Sequence, residues 1–482
     1  MNKSVLHTTG IRWNRLLPAV LATIALACAI GLAGCGQTDA TASSSEAASN
    51  AATASSEGAP DKPEGNQPPD KPDGNQPPDK PEGEQPGGPG GPGQGSGTVN
   101  NGTGATTLSS EVTETGQTYN STNADENALR VEGGANATIE NATVTKTGDS
   151  SSAEDSDFYG LNAGVLAYDG SKLAMKGGAV TTDASGANGI FAYGEGTEVT
   201  VSDATIRTTK GNSGGVEVAG GATLTATNLD VDTQGESSAA IRSDRGGGTE
   251  TVTGGTYTTH GKHSPAVYST ADVMVNGATL TAENCEAVVI EGKNSVALND
   301  CEVKGNVNGV ATRTGVVNNV MIYQSMSGDA SEGTGNFSMS GGTFTAKNGT
   351  LFYVTNTDAI IELEAVDIDH PSNELLVVAG NDGQWGKEGS NGGTVKFTAT
   401  EQKLDGSITV DDISSLDLTL VESVFTGSIN TEKAAGTVNV TLEEGATWTL
   451  DGDSYITSLA GDTSGIDLNG HTLYVNGKAW TA

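Results

Sequence analysis

The sequence predicts an all-β fold, a parallel β-helix or solenoid, and three observations carry that prediction. A short extended unit returns every two dozen residues along most of the chain. The units alternate apolar and polar residues with period two and are broken by Gly, Asn and Asp, with no helical spacing. Finally, 68 glycines, 4% aromatics and 34% apolar residues supply too few large side chains for a thick central core, yet place Val, Ile, Leu and Thr at regular positions. A thin core built by repetition satisfies all three.

The repeat is read from two columns. Matching "ATIENATVTKT" with "AMKGGAVTTD", "TVSDATIRTT", "TATNLDVDTQ", "TVTGGTYTTH", "MVNGATLTAE" and "ALNDCEVKGN" aligns Ile139, Met175, Val201, Ala226, Val252, Val275 and Leu298. Their steps are 36, 26, 25, 26, 23 and 23. Val165, Ile190, Val216, Ile241, Val267, Val288 and Val310 step beside them by 25, 26, 25, 26, 21 and 22. Shared periods of this size mark a stacked-repeat architecture. Each coil covers the apolar face of the next, so stability accumulates along the stack. Gly and Asn suit the corners. The pattern returns in "FSMSGGTFTA", "IELEAVDID" and "VNVTLEEGATWTL". This body resembles the right-handed β-helix, pectate-lyase-like superfamily, which includes adhesin-like surface proteins; the right hand is what the resemblance implies.

Ahead of the body lie two other segments. Lys3, Arg12 and Arg15 precede an apolar run from Leu16 to Gly34, and Cys35 follows. That is the order of a secretory signal. "LAGC" resembles the lipobox of bacterial lipoproteins, which implies Cys35 as the lipidated new N-terminus; a plain transmembrane anchor is the alternative. Residues 36–60 are rich in Ala, Ser and Thr. "DKPEGNQPP", "DKPDGNQPP" and "DKPEGEQPG" then run from Asp61 to Gly87, followed by "GPGGPGQGSG". Proline lacks a donor and glycine adds chain entropy, so a disordered tether is expected, reaching on the order of 150 Å when extended. The domain reading is a signal peptide at 1–34, a tether at 35–97, an N-terminal cap region at 98–127, the β-helix at 128–449 and a C-terminal cap at 450–482. The expected location is the extracellular face of the membrane, lipid-anchored, as a monomer. Of the remaining cysteines, Cys285 and Cys301 are open to pairing or to staying free.

The balance of 24 Lys+Arg against 60 Asp+Glu gives a net charge of −36. Such a field excludes nucleic acid, which needs cationic contacts to phosphate, and disfavours polyanionic substrates. Against this background "RSDRGGG" sets Arg242, Asp244 and Arg245 close together. Alternation assigns the faces. With Val165, Ile190, Val216, Ile241 and Val267 inward, Leu166, Phe191, Glu217, Arg242, Tyr268 and Val289 form one outward column. Tyr168, Tyr193, Ala219, Asp244, Thr270, Glu291 and Arg313 form the next. The opposite parity would bury Glu217, Arg242, Asp244 and Glu291 at a cost of several kcal/mol each. Coils about 4.8 Å apart then predict an exposed aromatic patch of Tyr168, Phe191 and Tyr193 beside Glu217, Arg242, Asp244 and Tyr268. Aromatic faces next to charged groups suit a sugar-binding surface. The plainer reading is a solvated Arg242–Glu217 pair worth roughly 0–1 kcal/mol.

Two longer interruptions, "YQSMSGDASEG" and "GNDGQWGKEGSNGG", add Trp385 as a candidate ligand contact. The candidate binding set is therefore Tyr168, Phe191, Tyr193, Arg242, Asp244, Tyr268 and Trp385. No catalytic residue is assigned. Asp244 and Glu291, two rungs apart, stand near the carboxyl spacing of an inverting glycosidase. "VDIDH" is similar to a pectate-lyase segment, but Asp367 stands where tryptophan would be and the arginine-proline motif is absent. The polygalacturonase motifs are also missing as a set. His260 and His263 around a turn make a weak metal signal. No metal ligands or cofactor are assigned, with calcium on aspartate pairs such as Asp230/Asp232, Asp367/Asp369 and Asp451/Asp453 an open option. The leading expectation is a non-enzymatic adhesin or glycan-binding protein for polysaccharide or surface glycan. A polysaccharide lyase or glycoside hydrolase is the alternative, and a structural spacer the third.

Overall fold

The structure, a computed structural model, describes residues 99–307, 316–325, 327–431 and 436–481. The leader, Cys35, the tether and Arg313 lie outside the described residues.

From Thr103 the chain winds as stacked coils of three strands each. One coil runs Val165–Tyr168, Lys172–Lys176 and Ala179–Asp183. The first strand of each coil joins a 12-stranded sheet from Thr103–Leu108 to Ser407–Val410, and the other two join a 22-stranded sheet, until from Lys403–Asp405 onward the third strands form a four-stranded sheet of their own. In two coils the second and third strands run on without a break, as Ala222–Thr233 and Gly248–Thr259. Pairing is parallel throughout, except for the antiparallel pair Leu473–Val475 with Lys478–Ala479 near the C-terminus of the described residues.

Both predicted columns are present rung by rung. Ile139 pairs with Met175, then Val201, Ala226, Val252, Val275 and Leu298. Val165 pairs with Ile190, then Val216, Ile241, Val267 and Val288. All of these are buried in one continuous core. The next rung of the second column corrects the expectation. It is Val320, not Val310, because the chain makes a longer excursion before re-entering the sheet; Val310 lies outside the described residues.

The period-two pattern works because inward residues fill the bore while outward ones meet water or a covering segment. Inward threonines close each coil locally. The Oγ1 atoms of Thr182, Thr208, Thr233 and Thr259 donate to the carbonyls of Ala187, Ser213, Ser238 and Ser264. Serine hydroxyls then bridge coil to coil: Ser213 N donates to Ser238 Oγ, and Ser238 N to Ser264 Oγ, at 3.0 and 2.9 Å. The corner between second and third strands takes left-handed backbone at Asn141, Asp203, Asn228 and Asp300, with φ of 51–54°. Asn and Asp tolerate this region better than other side chains. Later coils use larger fillers: Phe337, Phe352 and Phe397 meet edge to face at 5.5 and 5.8 Å.

One bore residue breaks the apolar rule. Glu250 pairs in register with Leu224 and Val273, is fully buried, and neither carboxyl oxygen has a partner. Burial pushes its carboxyl well above the ordinary glutamate range.

Candidate functional site

A cavity of about 410 Å³ opens on the outward face of the 12-stranded sheet. Its floor is the outward column Arg242, Tyr268, Val289 and Met321, which the parallel register places on successive rungs. Asp244 and Tyr323, both from the neighbouring outward column, also line it. Corners of successive coils, with Ser237, His263, Cys285 and Glu286, form one wall, and the others come from segments that leave the repeat. They are the helix α1 (Ala153–Tyr159) with Asp157 and Phe158, the segment after Tyr323 with Asp329, and the segment after Val378 with Trp385.

The helix α1 forms because Ser152 caps it, accepting from Asp155 N at 3.1 Å, with Glu154 and Asp155 in the first turn. It ends at Gly160, in left-handed backbone with φ 70°. A Cβ there would lie 2.9 Å from Leu166 Cδ1 and 3.0 Å from Phe191 Cγ, so glycine is required twice over. The helix occupies the 36-residue step between Ile139 and Met175.

Arg242 pins this cover to the sheet. Its Nη2 lies 3.1 Å from Asp157 Oδ1 and donates to Asp244 Oδ2 at 2.9 Å. Its Nε lies 3.4 Å from Glu217 Oε1, and its Nη1 donates to the Ser237 carbonyl at 3.3 Å. Arg245 does the same one step out: it donates to Asp329 Oδ1 at 2.8 Å, lies 3.7 Å from Glu154, and sits 3.8 Å over the Phe158 ring. One guanidinium thus answers three carboxylates. Burial is the first cause that pushes Asp157, Glu217 and Asp244 upward, and Arg242 pulls each back down. Asp244 is pushed up to about 7. Glu217 is completely buried.

These placements correct the sequence reading. The outward parity holds, but the outward residues are covered. Leu166 and Phe191 are buried with Ala163 and Ala219 in a small cluster of their own, so Phe191 is not part of an exposed patch. Tyr193 is partly buried against Tyr159 of α1, rings perpendicular at 5.5 Å. Tyr168 donates to Glu132 Oε2 at 2.8 Å beneath the Arg130 guanidinium. None of Tyr168, Phe191 and Tyr193 lines the cavity, whereas Arg242, Asp244, Tyr268 and Trp385 do. The Arg242–Glu217 pair exists one rung apart but is buried rather than solvated. Glu291 accepts from Tyr268 and Tyr323, each at 2.7 Å, and from Ser325; it is a saturated hub. Trp385 packs on Tyr323 at 4.5 Å.

Sequence reasoning missed Asp157, Tyr323, Asp329, Cys285 and Glu286, all on the cavity wall. The signal for the first was the oversized 36-residue step. Cys285 and Cys301 are both free and buried. Cys285 Sγ donates to Glu286 Oε2 at 2.9 Å, and Glu286 Oε1 accepts from Asn318 at 3.4 Å. Burial raises both the thiol and the carboxyl. His263 lies 3.2 Å from Glu236, and His260 stands between Asp232 and Glu283. Among the described residues no group of three or more His, Cys, Asp and Glu is placed to hold a metal ion. Likewise, no helix is long and apolar enough to cross a membrane.

No family model matches the chain, and no curated protein or solved structure matches it. The functional reading therefore rests on the cavity.

Proposed function

We propose that this chain is a surface-displayed saccharide-binding solenoid, anchored through Cys35 and held off the membrane as a monomer by the Pro/Gly tether. The observation that carries the binding role is the cavity. It falls within the roughly 300–1,000 Å³ of small-ligand pockets, and it combines aromatic side chains with a few fixed charges. Tyr268, Tyr323, Phe158 and Trp385 supply surfaces for the apolar faces of a pyranose, while Arg242 and Asp244 supply hydrogen bonds. A rigid sheet supplies the floor, and coil corners and three insertions the walls, the usual division between scaffold and site.

The test is a glycan array with the full chain. Tyr268→Ala combined with Trp385→Ala should abolish the signals while far-ultraviolet circular dichroism stays unchanged; a wild type that binds no glycan sinks the reading. Anchoring is tested separately. Cys35→Ala should release the protein from the membrane fraction, and retention there would refute lipidation.

A second reading, glycoside hydrolysis, is favoured by one observation. Asp244, pushed up to about 7, lies on the cavity wall with Asp157, whose carboxyl is also raised. A carboxyl that keeps its proton near neutrality can serve as a general acid. New reducing ends from any glycan in the panel would establish it.

A further inference from the structure

The saccharide reading leaves open which sugar chemistry the cavity selects, and the charges on its wall bear on that. Four carboxyl groups line it: Asp157, Asp244, Asp329 and Glu286. Arg242 answers Asp157 and Asp244, and also Glu217 beneath them. Arg245 answers Asp329. Glu286 differs. It is 6% exposed, and its partners are the weak thiol donor of Cys285, its own backbone N–H and a long amide contact from Asn318, with His263 the cationic side chain that acts on it from a distance. Among the described residues no Lys, Arg or His nitrogen lies within 4.0 Å of it in an ion pair. The other acidic and basic side chains lining the cavity with it are His263, Arg242, Asp157, Asp244 and Asp329. Around them stand the rings of Phe158, Tyr268, Tyr323 and Trp385. A buried carboxyl without a cation is costly in its charged form, and aromatic faces attract cations. An incoming positive group would satisfy both.

We propose that the saccharide bound in this cavity carries a free ammonium group, as in a hexosamine without its N-acetyl cap, and that Glu286 is the counter-ion for it. The inference rests on the saccharide reading. A divalent metal fits less well, because the described residues offer no cluster of three suitable ligands. A uronic acid fits least: its carboxylate would face four acids, and the two nearby guanidinium groups are already engaged with three of them. An ammonium group needs only one carboxylate and an aromatic wall, and it brings its own three donors.

Because burial raises the Glu286 carboxyl and an ammonium group favours its ionised form, binding should release protons to solvent in the pH range where the free carboxyl is still partly protonated. The sign follows from linkage: the ligand favours the ionised carboxylate, so affinity should rise with pH until the amine itself loses its charge.

The experiment is titration calorimetry on the full chain with three probes: a glucosamine tetrasaccharide, its fully N-acetylated counterpart, and a galacturonate trisaccharide. Each is run in two buffers of different ionisation enthalpy, so that proton release is counted directly. The expected result is binding of the glucosamine oligomer about tenfold or more above the N-acetylated one, the span of one charge-assisted hydrogen bond, together with measurable proton release. Glu286→Gln, isosteric with the protonated acid, should remove both the preference and the proton release. Equal or tighter binding of the N-acetylated sugar, or of the uronate, overturns the ammonium assignment and leaves the saccharide reading standing. Binding of none of the three while an array glycan binds does the same. Binding of no glycan at all overturns both. Should Glu286→Gln misfold, proton counting on the wild type still decides.

Discussion

Replacing Arg242 by methionine keeps much of the side-chain stem and deletes the guanidinium. Four acceptors lose it at once: Asp157 Oδ1 at 3.1 Å, Glu217 Oε1 at 3.4 Å, Asp244 Oδ2 at 2.9 Å and the Ser237 carbonyl at 3.3 Å. Breaking a buried ion pair by removing one partner costs about 3–5 kcal/mol, because the survivor is left charged and unpaired. That figure applies only where the carboxyls are ionised, so pH decides how much of it is seen. Burial, the leading cause, holds all three above their ordinary range in the wild type, and Asp244 reaches about 7. A group raised in the folded state contributes stability that is fully present below its unfolded value, near 4, and lost as pH climbs through the folded value. Without Arg242 the folded values climb higher still. Above about pH 8, one unit past the wild-type value of Asp244, the variant therefore goes on losing roughly 1.4 kcal/mol per pH unit per protonated group, where the wild type has largely finished titrating Asp244. The gap between wild type and Arg242→Met should be about 1 kcal/mol at pH 5.5, the loss of ordinary hydrogen bonds, and about 3–5 kcal/mol at pH 8.5. Urea unfolding followed by circular dichroism at both pH values measures it. Hydrogen exchange should also quicken in α1, which loses the anchor at Asp157. A gap that stays the same at both pH values, or a value below about 1 kcal/mol at pH 8.5, would refute the argument.

Three more outcomes follow from the same structure. Glu250→Leu should stabilise the protein by about 2–4 kcal/mol, combining relief of an unsatisfied buried carboxyl with apolar burial; Glu250 and the Leu224 and Val273 that flank it are at most 2% exposed. Thermal unfolding checks this, and a lower melting temperature would contradict it. Lys146 is fully buried and donates to the carbonyls of Asn123, Thr147 and Gly148. Lys146→Met orphans all three and should cost roughly 2–4 kcal/mol in urea unfolding. Finally, Cys285 and Cys301 should resist iodoacetamide in the folded protein at pH 8 and react fully in urea without reductant, since both are free, buried and raised by burial. A mass loss of two protons between them would instead reveal a disulfide.

Much of the fold was legible because a solenoid writes its geometry into its spacing. Ile139 to Leu298 and Val165 to Val288 could be aligned from aliphatic recurrence alone, and each pairing is present. The reading failed at Val310, where an excursion of unknown length intervenes; periodicity carries no information about where an interrupted column resumes. The site was legible in direction but not in exposure. Alternation correctly turned Phe191, Glu217, Arg242 and Asp244 away from the bore. It said nothing about what would lie over them, because the cover comes from distant sequence: Asp157 and Phe158 before the rungs that run from Val165 to Val288, Asp329 and Trp385 after them. The premise behind the parity argument was also too strong. Burying carboxyl groups was treated as prohibitive, yet Glu217 and Glu250 are both completely buried. A carboxyl that keeps its proton does not incur the cost of a buried charge, and Glu250 had a readable signal: it stands two residues before the inward Val252.

The larger cavity forms here because the insertions cluster here; a second one, of about 310 Å³, lies over Ser338, Glu362 and Thr398. Along most of the outer surface each coil repeats the last, and a regular surface is ridged but shallow. Three walls of the cavity are departures from the repeat, added to the coil corners that bear His263 and Glu286, and all three flank strands of the 12-stranded sheet: α1 precedes Val165–Tyr168, while the segments bearing Asp329 and Trp385 follow Asn318–Tyr323 and Glu374–Val378. Lengthening a surface connection costs little, since closure entropy grows only logarithmically with loop length, and the sheet beneath keeps its register whatever the loops do. What the insertions then require is fastening. Arg242 and Arg245 do this from one coil, the first in the strand and the second in the turn after it, reaching Asp157 and Glu154 on one side and Asp329 on the other. In a chain with 24 basic residues against 60 acidic ones, two guanidinium groups set side by side beneath the cover are a concentrated use of scarce cations. The "RSDR" cluster is thus the fastening of the cavity. The carboxyl left outside that fastening, Glu286, is the one available to a ligand.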